Sequence, residues 1–168
     1  MPAREALILL TMLSHPWLLD THAEEVAELE FSHPDADRLR RGILDAAAGH
    51  GHAVLETAVL REAVLATELA PLLARVEAAI THTSDWPARP GAAEEDVAQW
   101  WSHVITLHRK QRTLHRELKE AERALGEAPS DENLRWLQDL KERLTALEGA
   151  EATIEDFGAL SGRRIRGV

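Results

Sequence analysis

Apolar residues recur every third or fourth position along most of this chain, the spacing that lines one side of an α-helix. From Ala6 to Leu13 the apolar run is broken only by Thr11, which predicts a helix covered on all sides. Leu19, His22, Val26 and Leu29 then mark one face of a second helix, and Ala36, Leu39, Ile43 and Ala47 one face of a third. The β-branched residues are scattered singly at helical spacing instead of clustering as strands require. The pattern predicts an all-α protein.

Gly49-His50-Gly51-His52 interrupts the pattern, and a long Ala/Leu/Val stretch follows from Ala53 to Ile80. Pro71 lies inside that stretch, cannot donate a mid-helix hydrogen bond and biases Ala70 away from helix. A boundary between Arg61 and Pro71 is therefore expected, giving two helices there. Residues 1–80 then read as an N-terminal helical bundle. Thr81 to Asp96, THTSDWPARPGAAEED, with two prolines, a glycine and an acidic end, reads as a connector.

Beyond it, Val97, Trp101, Val104, Leu107, Leu114, Leu118, Ala121 and Leu125 trace one long helix. Its first half needs a wide apolar face, because Trp100 and Trp101 point about 100° apart. Its second half narrows to a single stripe. Gly126 is placed to close this helix, and Pro129, Ser130 and Asp131 to open the next, with Ser130 as N-cap. That helix carries Leu134, Leu137, Leu140, Leu144 and Leu147, again one stripe. Two narrow stripes joined by a short loop predict an antiparallel helical hairpin over 97–148 that projects from the bundle, its tip at Gly126 to Asn133 the most mobile helical connection. Residues 149–168 form a C-terminal tail.

At 168 residues the chain has room for one good core or two small units. Its 19 Lys+Arg against 29 Asp+Glu leave a net charge of −10, which opposes any sequence-independent grip on a phosphate backbone. There is no cysteine, so disulfides, thiolate zinc sites and thiol catalysis are excluded, and a reducing cytoplasm fits. The Ala6–Leu13 run resembles the apolar part of a secretory signal, but it leads into His15-Pro16-Trp17 rather than a small-residue cleavage site. It also falls far short of the roughly 18 apolar residues that span a bilayer. It reads as a buried helix.

Ser-His-Pro occurs twice, at 14–16 and at 32–34. Ser32 to Asp35 fits the capping pattern in which a serine hydroxyl accepts from a free backbone N–H and proline occupies the first turn at no cost. Ser14 is expected to start a helix in the same way, with Leu13 stapling against Leu18. A metal reading of the histidines fails, because neither His-Glu-x-x-His nor a repeated Glu-x-x-His occurs. His15 and His22, like His108 and His115, lie seven apart, and His50-x-His52 sits in a glycine turn. Most of the nine histidines are expected to be exposed on helices. No phosphate-cradling glycine loop, nucleophile elbow or catalytic carboxylate pair is present, and no catalytic, cofactor or metal residue is assigned. The doublets Glu24-Glu25 and Glu94-Glu95 read as solvated or first-turn residues.

The opening REALILLTMLSHPWLLDTHAEEVAELEF resembles the C-terminal region of bacterial DNA primases, especially the alphaproteobacterial kind. In that family an apolar helix runs into an HP-(aromatic or small)-LL segment and then an acidic helix. A Ser-x-Pro start and a helix of the D-x-L-R type follow, matched here by SHPDADRLRRGILDA. The long Trp-containing helix, the charged helix with LRWLQDLKERL and the terminal FGALSGR match the family's ending. The resemblance spans nearly the whole chain, though its motifs are patterns of apolar and capping residues. The connector and the terminal RRIRGV carry less of it.

The resemblance implies a helicase-binding domain, a bundle followed by a projecting hairpin that docks on the N-terminal domains of the hexameric replicative helicase. It implies a cytoplasmic, monomeric, non-catalytic domain that recruits primer synthesis to the fork, without membrane or direct nucleic-acid contact. On the hairpin, Trp136 is the expected anchor, a large aromatic beside the stripe, and its alternative role is to cover the hairpin seam. Leu125 and Pro129 accompany it, and Arg135, Arg123, Arg163 and Arg164 are expected to add charge complementarity. A free-standing helical adaptor, self-associating through the hairpin, explains the stripes equally well. Arg109, Lys110, Arg112, Arg116 and Lys119 read either as a nucleic-acid contact or as a solvated face with partners such as Glu120. The acidic body favours the latter.

Overall fold

A computed structural model describes residues 1–50, 55–79, 83–148 and 161. Among these there are seven α-helices, one 3-10 helix and no strand, so the fold is all-α. The helices are α1 (Ala3–Ser14), α2 (Trp17–Glu28), α3 (Pro34–Ala48), α4 (Thr57–Leu65), α5 (Ala70–Ala79), α6 (Glu94–Glu127) and α7 (Asp131–Glu148), with the 3-10 turn at Thr83–Ala88. The expected break before Pro71 falls between Leu65 and Ala70. Pro71 itself sits in the first turn of α5, where its missing N–H leaves no helical bond unmade.

The described residues form two compact units. Met1–Ser102, together with Ser161, make the first, and the second begins at His103 and includes α7. Of the segment 81–96, read above as a connector, the described residues 83–96 belong to the first unit, and the division falls within α6. Trp86, Pro87 and Ala88 are buried, so this proline-rich stretch is a packed part of the unit.

In the first unit α1 is central and packs against α2, α3, α4, α5 and the 3-10 turn. Every residue from Arg4 to Ser14 is buried, as the unbroken apolar run requires. Each leucine or isoleucine so covered contributes roughly 1.5–3 kcal/mol. Burying Glu5 in such a helix is costly unless its charge is met by donors. It accepts from the Ser32 N–H at 2.5 Å, the Ser32 hydroxyl at 2.6 Å and the His33 N–H at 3.2 Å.

Those bonds overturn the expected role of Ser32. Its hydroxyl donates to Glu5, and His33 is the N-cap of α3, its Nδ1 accepting from the Asp35 N–H at 3.2 Å. Pro34 occupies the first turn as expected. The first copy of the tripeptide behaves differently again. Ser14 ends α1, and α2 starts at Trp17 with Pro16 as its N-cap and no side-chain cap bond. The C-terminus of α2 is closed by Arg40, whose guanidinium donates to the Val26 and Ala27 carbonyls at 2.9 and 2.8 Å and to Asp37 at 2.7 Å.

The histidines depart from expectation as well. His15 and His108 are buried, His22, His33 and His103 half-buried, and only His50 and His115 are exposed among those described. His15 Nε2–H donates to the Pro87 carbonyl at 2.9 Å, tying the α1–α2 corner to the 3-10 turn. Burial pushes its pKa below the ordinary 6.5, against the raising effects of hydrogen bonds to the Pro87 and Arg89 backbone and of the Glu94 charge.

Ser161 completes the start of α6 in a way no local pattern shows. Its Oγ accepts from the Ala93 N–H at 2.9 Å, while its own N–H donates to the Asp96 carboxylate at 2.7 Å and its hydroxyl donates there too. In a capping box the N-cap serine and the third helical residue exchange these bonds directly. Here Ala93 has no side-chain oxygen, and a serine 68 residues further on stands between its N–H and the Asp96 carboxylate.

Candidate functional site

The second unit is built on the pairing of α6 with α7. Leu114 and Ala121 from α6 pack with Leu137 and Leu140 from α7, and Leu118, Leu125, Leu144 and Leu147 border this cluster. Arg143 lies 3.9 Å from Glu117, while Asn133, near the start of α7, reaches Ala124 near the end of α6. The two helices therefore run antiparallel. α6 passes through Gly126 to Glu127, so that glycine does not end it.

The turn between them is closed by polar contacts. Ser130 is the N-cap of α7 as expected, its Oγ accepting from the Asn133 N–H at 3.2 Å, with Asp131 and Glu132 in the first turn. The Asn133 side-chain amide donates to the carbonyls of Ala124 at 3.2 Å and Ala128 at 2.8 Å. The Ala128 carbonyl lies just beyond the end of α6, past its last intrahelical donor, while the Ala124 carbonyl in the last turn also accepts from the Ala128 N–H at 2.9 Å. Asn133 lies four and seven residues before Leu137 and Leu140, so it continues their line to the tip.

Leu134 does not belong to that line. It is 43% exposed, whereas Leu137 and Leu140 are buried, which corrects the five-leucine stripe read from the sequence. Trp136 is 38% exposed, so it is only partly used as a cover for the seam. Two residues apart, Leu134 and Trp136 point about 160° from one another and flank the seam on opposite sides.

The other expected site residues are placed as follows. Arg135 and Pro129 are exposed, and Leu125 is half-buried against the seam. Arg123 is exposed and stands 4.0 Å from Glu127 of its own helix, a surface pair of small energetic weight. Arg163 and Arg164 lie outside the described residues. Trp136, Arg135, Leu125, Pro129 and Arg123 thus all belong to the tip-proximal half of the helical pair.

Sequence reading missed a groove in the other half. It has a volume of about 620 Å³ and runs between Arg109, Lys110 and Leu114 of α6 and Arg143, Ala146 and Leu147 of α7. Arg143 follows Trp136 by seven residues, two turns of helix, so both face the same flank of the pair. Two of the five basic residues considered above, Arg109 and Lys110, therefore border an apolar depression. No cluster of three or more metal-ligating side chains exists among the described residues, and none of their helices is long and apolar enough to cross a membrane. No known protein family, curated protein or solved structure matches the chain.

Proposed function

We propose that this chain is a non-catalytic docking domain that binds the N-terminal domains of a hexameric replicative helicase and so brings a primase to the replication fork in the cytoplasm. The reading rests on the primase resemblance of the sequence. The structural observation that supports it best is the exposed Trp136 on a helical pair whose interior leucines are already spent on one another. A tryptophan left more than a third open on a stiff two-helix scaffold offers a partner a large apolar contact at little entropic cost. Interfaces concentrate their energy in such aromatic anchors, with charged residues at the rim setting encounter rate and register. Arg135, Arg123 and Pro129 supply that rim here.

In this reading the first unit carries no chemistry of its own. Among its buried polar groups, Glu5 and Arg40 join helices, and Asp96 holds Ser161 at the start of α6. The direct test is affinity capture of the cognate helicase by the full chain, followed by titration calorimetry. Capture of the hexamer supports the proposal, and failure to bind at micromolar concentration refutes it. Sedimentation velocity of the chain alone addresses the other reading: a dimer that dissociates in Trp136→Ala marks a self-associating adaptor.

A further inference from the structure

The second Ser-His-Pro copy holds the start of α3 through a group that can take up a proton. An N-cap is normally Ser, Thr, Asp or Asn, whose side-chain oxygen accepts a backbone N–H at any pH near neutrality. At α3 the position is filled by His33, whose Nδ1 accepts from the Asp35 N–H at 3.2 Å. Pro34, at the first helical position, has no N–H, so Asp35 offers the first free donor of the helix. An imidazole nitrogen accepts only when it carries no proton, and in the imidazolium both nitrogens are donors. The bond therefore requires His33 to be neutral, with its proton on Nε2.

We propose that His33 is a pH-sensitive switch at the joint between α1 and α3. Neutral, it caps α3 and holds the joint; protonated, it releases the Asp35 N–H and loosens the first turn of the helix. The same two residues make the joint, because the Ser32 N–H, the Ser32 hydroxyl and the His33 N–H all donate to Glu5 of α1. Fraying at the cap is thus passed directly to the central helix of the first unit.

The charges around His33 leave the released state without compensation. Asp35 lies 2.6 Å from Arg75 of α5, and Asp37 is paired within α3 with Arg40 at 2.7 Å and Arg41 at 2.5 Å. Glu5 takes its three donors from the Ser32–His33 stretch, and Glu30, three residues before His33, is not without a partner either. These carboxylates are already engaged, so an imidazolium gains no idle partner among them. It also stands at the positive end of the α3 dipole, which opposes a cation. The first copy of the tripeptide behaves otherwise: His15 acts as a donor to the Pro87 carbonyl, a role that an imidazolium still fills. Loss of a bond on protonation is therefore specific to His33.

The test is heteronuclear NMR of the full chain between pH 8 and pH 5. At pH 8 the ring nitrogen shifts of His33 are expected to show the Nε2–H tautomer. As pH falls, the Asp35 amide proton should move upfield in step with the His33 ring. His33→Asn supplies an oxygen acceptor that does not titrate and should leave the Asp35 amide in place across the range. The difference in urea midpoint between His33→Asn and wild type should widen as pH falls, also when both carry His15→Gln. A proton on Nδ1 at pH 8 overturns the proposal on the wild-type chain alone. An Asp35 amide that moves alike in wild type and His33→Asn, or a midpoint difference that is constant with pH, overturns it as well.

Discussion

The Asn133 side-chain amide donates to the Ala128 carbonyl at 2.8 Å, and this bond, with its companion to Ala124, joins α7 to the last turn of α6. The turn is therefore held by a residue that occupies a seam position without being apolar. Asn133→Ala should cost about 1 kcal/mol, since the Ala128 carbonyl loses its side-chain donor at a site open to water while the Ala124 carbonyl keeps the bond from the Ala128 N–H. Urea unfolding checks the magnitude. Hydrogen exchange should show the loss confined to the tip, with amides around Leu7 to Leu13 unaffected.

Glu5 predicts a larger effect. Its carboxylate is buried and receives three donors from the start of α3. Glu5→Ala strands those donors and should destabilise the chain by about 2–3 kcal/mol. Glu5→Gln retains one acceptor oxygen and should fall between the two. A thermal melt in which Glu5→Ala matches wild type would show that the bonds contribute nothing.

His15 makes stability depend on pH in a definite sense. Its pKa in the folded chain is below 6.5, so between that value and 6.5 the unfolded chain binds more protons. The stability associated with neutral His15 is complete above 6.5, declines as pH falls below it, and levels off once the folded pKa is passed. His15→Gln retains a donor for the Pro87 carbonyl and cannot titrate. The difference between its urea midpoint and that of wild type should therefore shrink as pH is lowered from 7.5 to 5. A difference constant across that range would contradict the assignment.

The helices were readable from the sequence because each buries a face of local period, and α1 because its run has no polar side. Long-range polar contacts were not. Ser32 matched a capping pattern written in four consecutive residues, yet the acceptor that claims its hydroxyl, Glu5, is 27 residues away. Ser161 and Asp96 are linked across 65 residues, with no periodic signal between them. Leu134 was misassigned for a related reason: three residues before Leu137 it fits an apolar count, but Asn133 takes the seam position, and an asparagine is invisible to a hydrophobic pattern. The exposure of Trp136 was legible because an aromatic beside a narrow stripe is left open by helix geometry. The groove was not, because it needs the register of two helices at once.

The central claim is that the helical pair is a docking element for the replicative helicase with Trp136 as its anchor. Its most direct test is calorimetric titration of the helicase N-terminal domains with the full chain and with Trp136→Ala, each checked by circular dichroism. Truncating an anchor costs about 2 kcal/mol, roughly a thirtyfold loss of affinity. The prediction is binding by wild type, a loss of that size in the variant and unchanged helicity in both. Equal affinity of the two chains, with helicity preserved, would contradict the assignment of Trp136, and absence of binding by either would contradict the function.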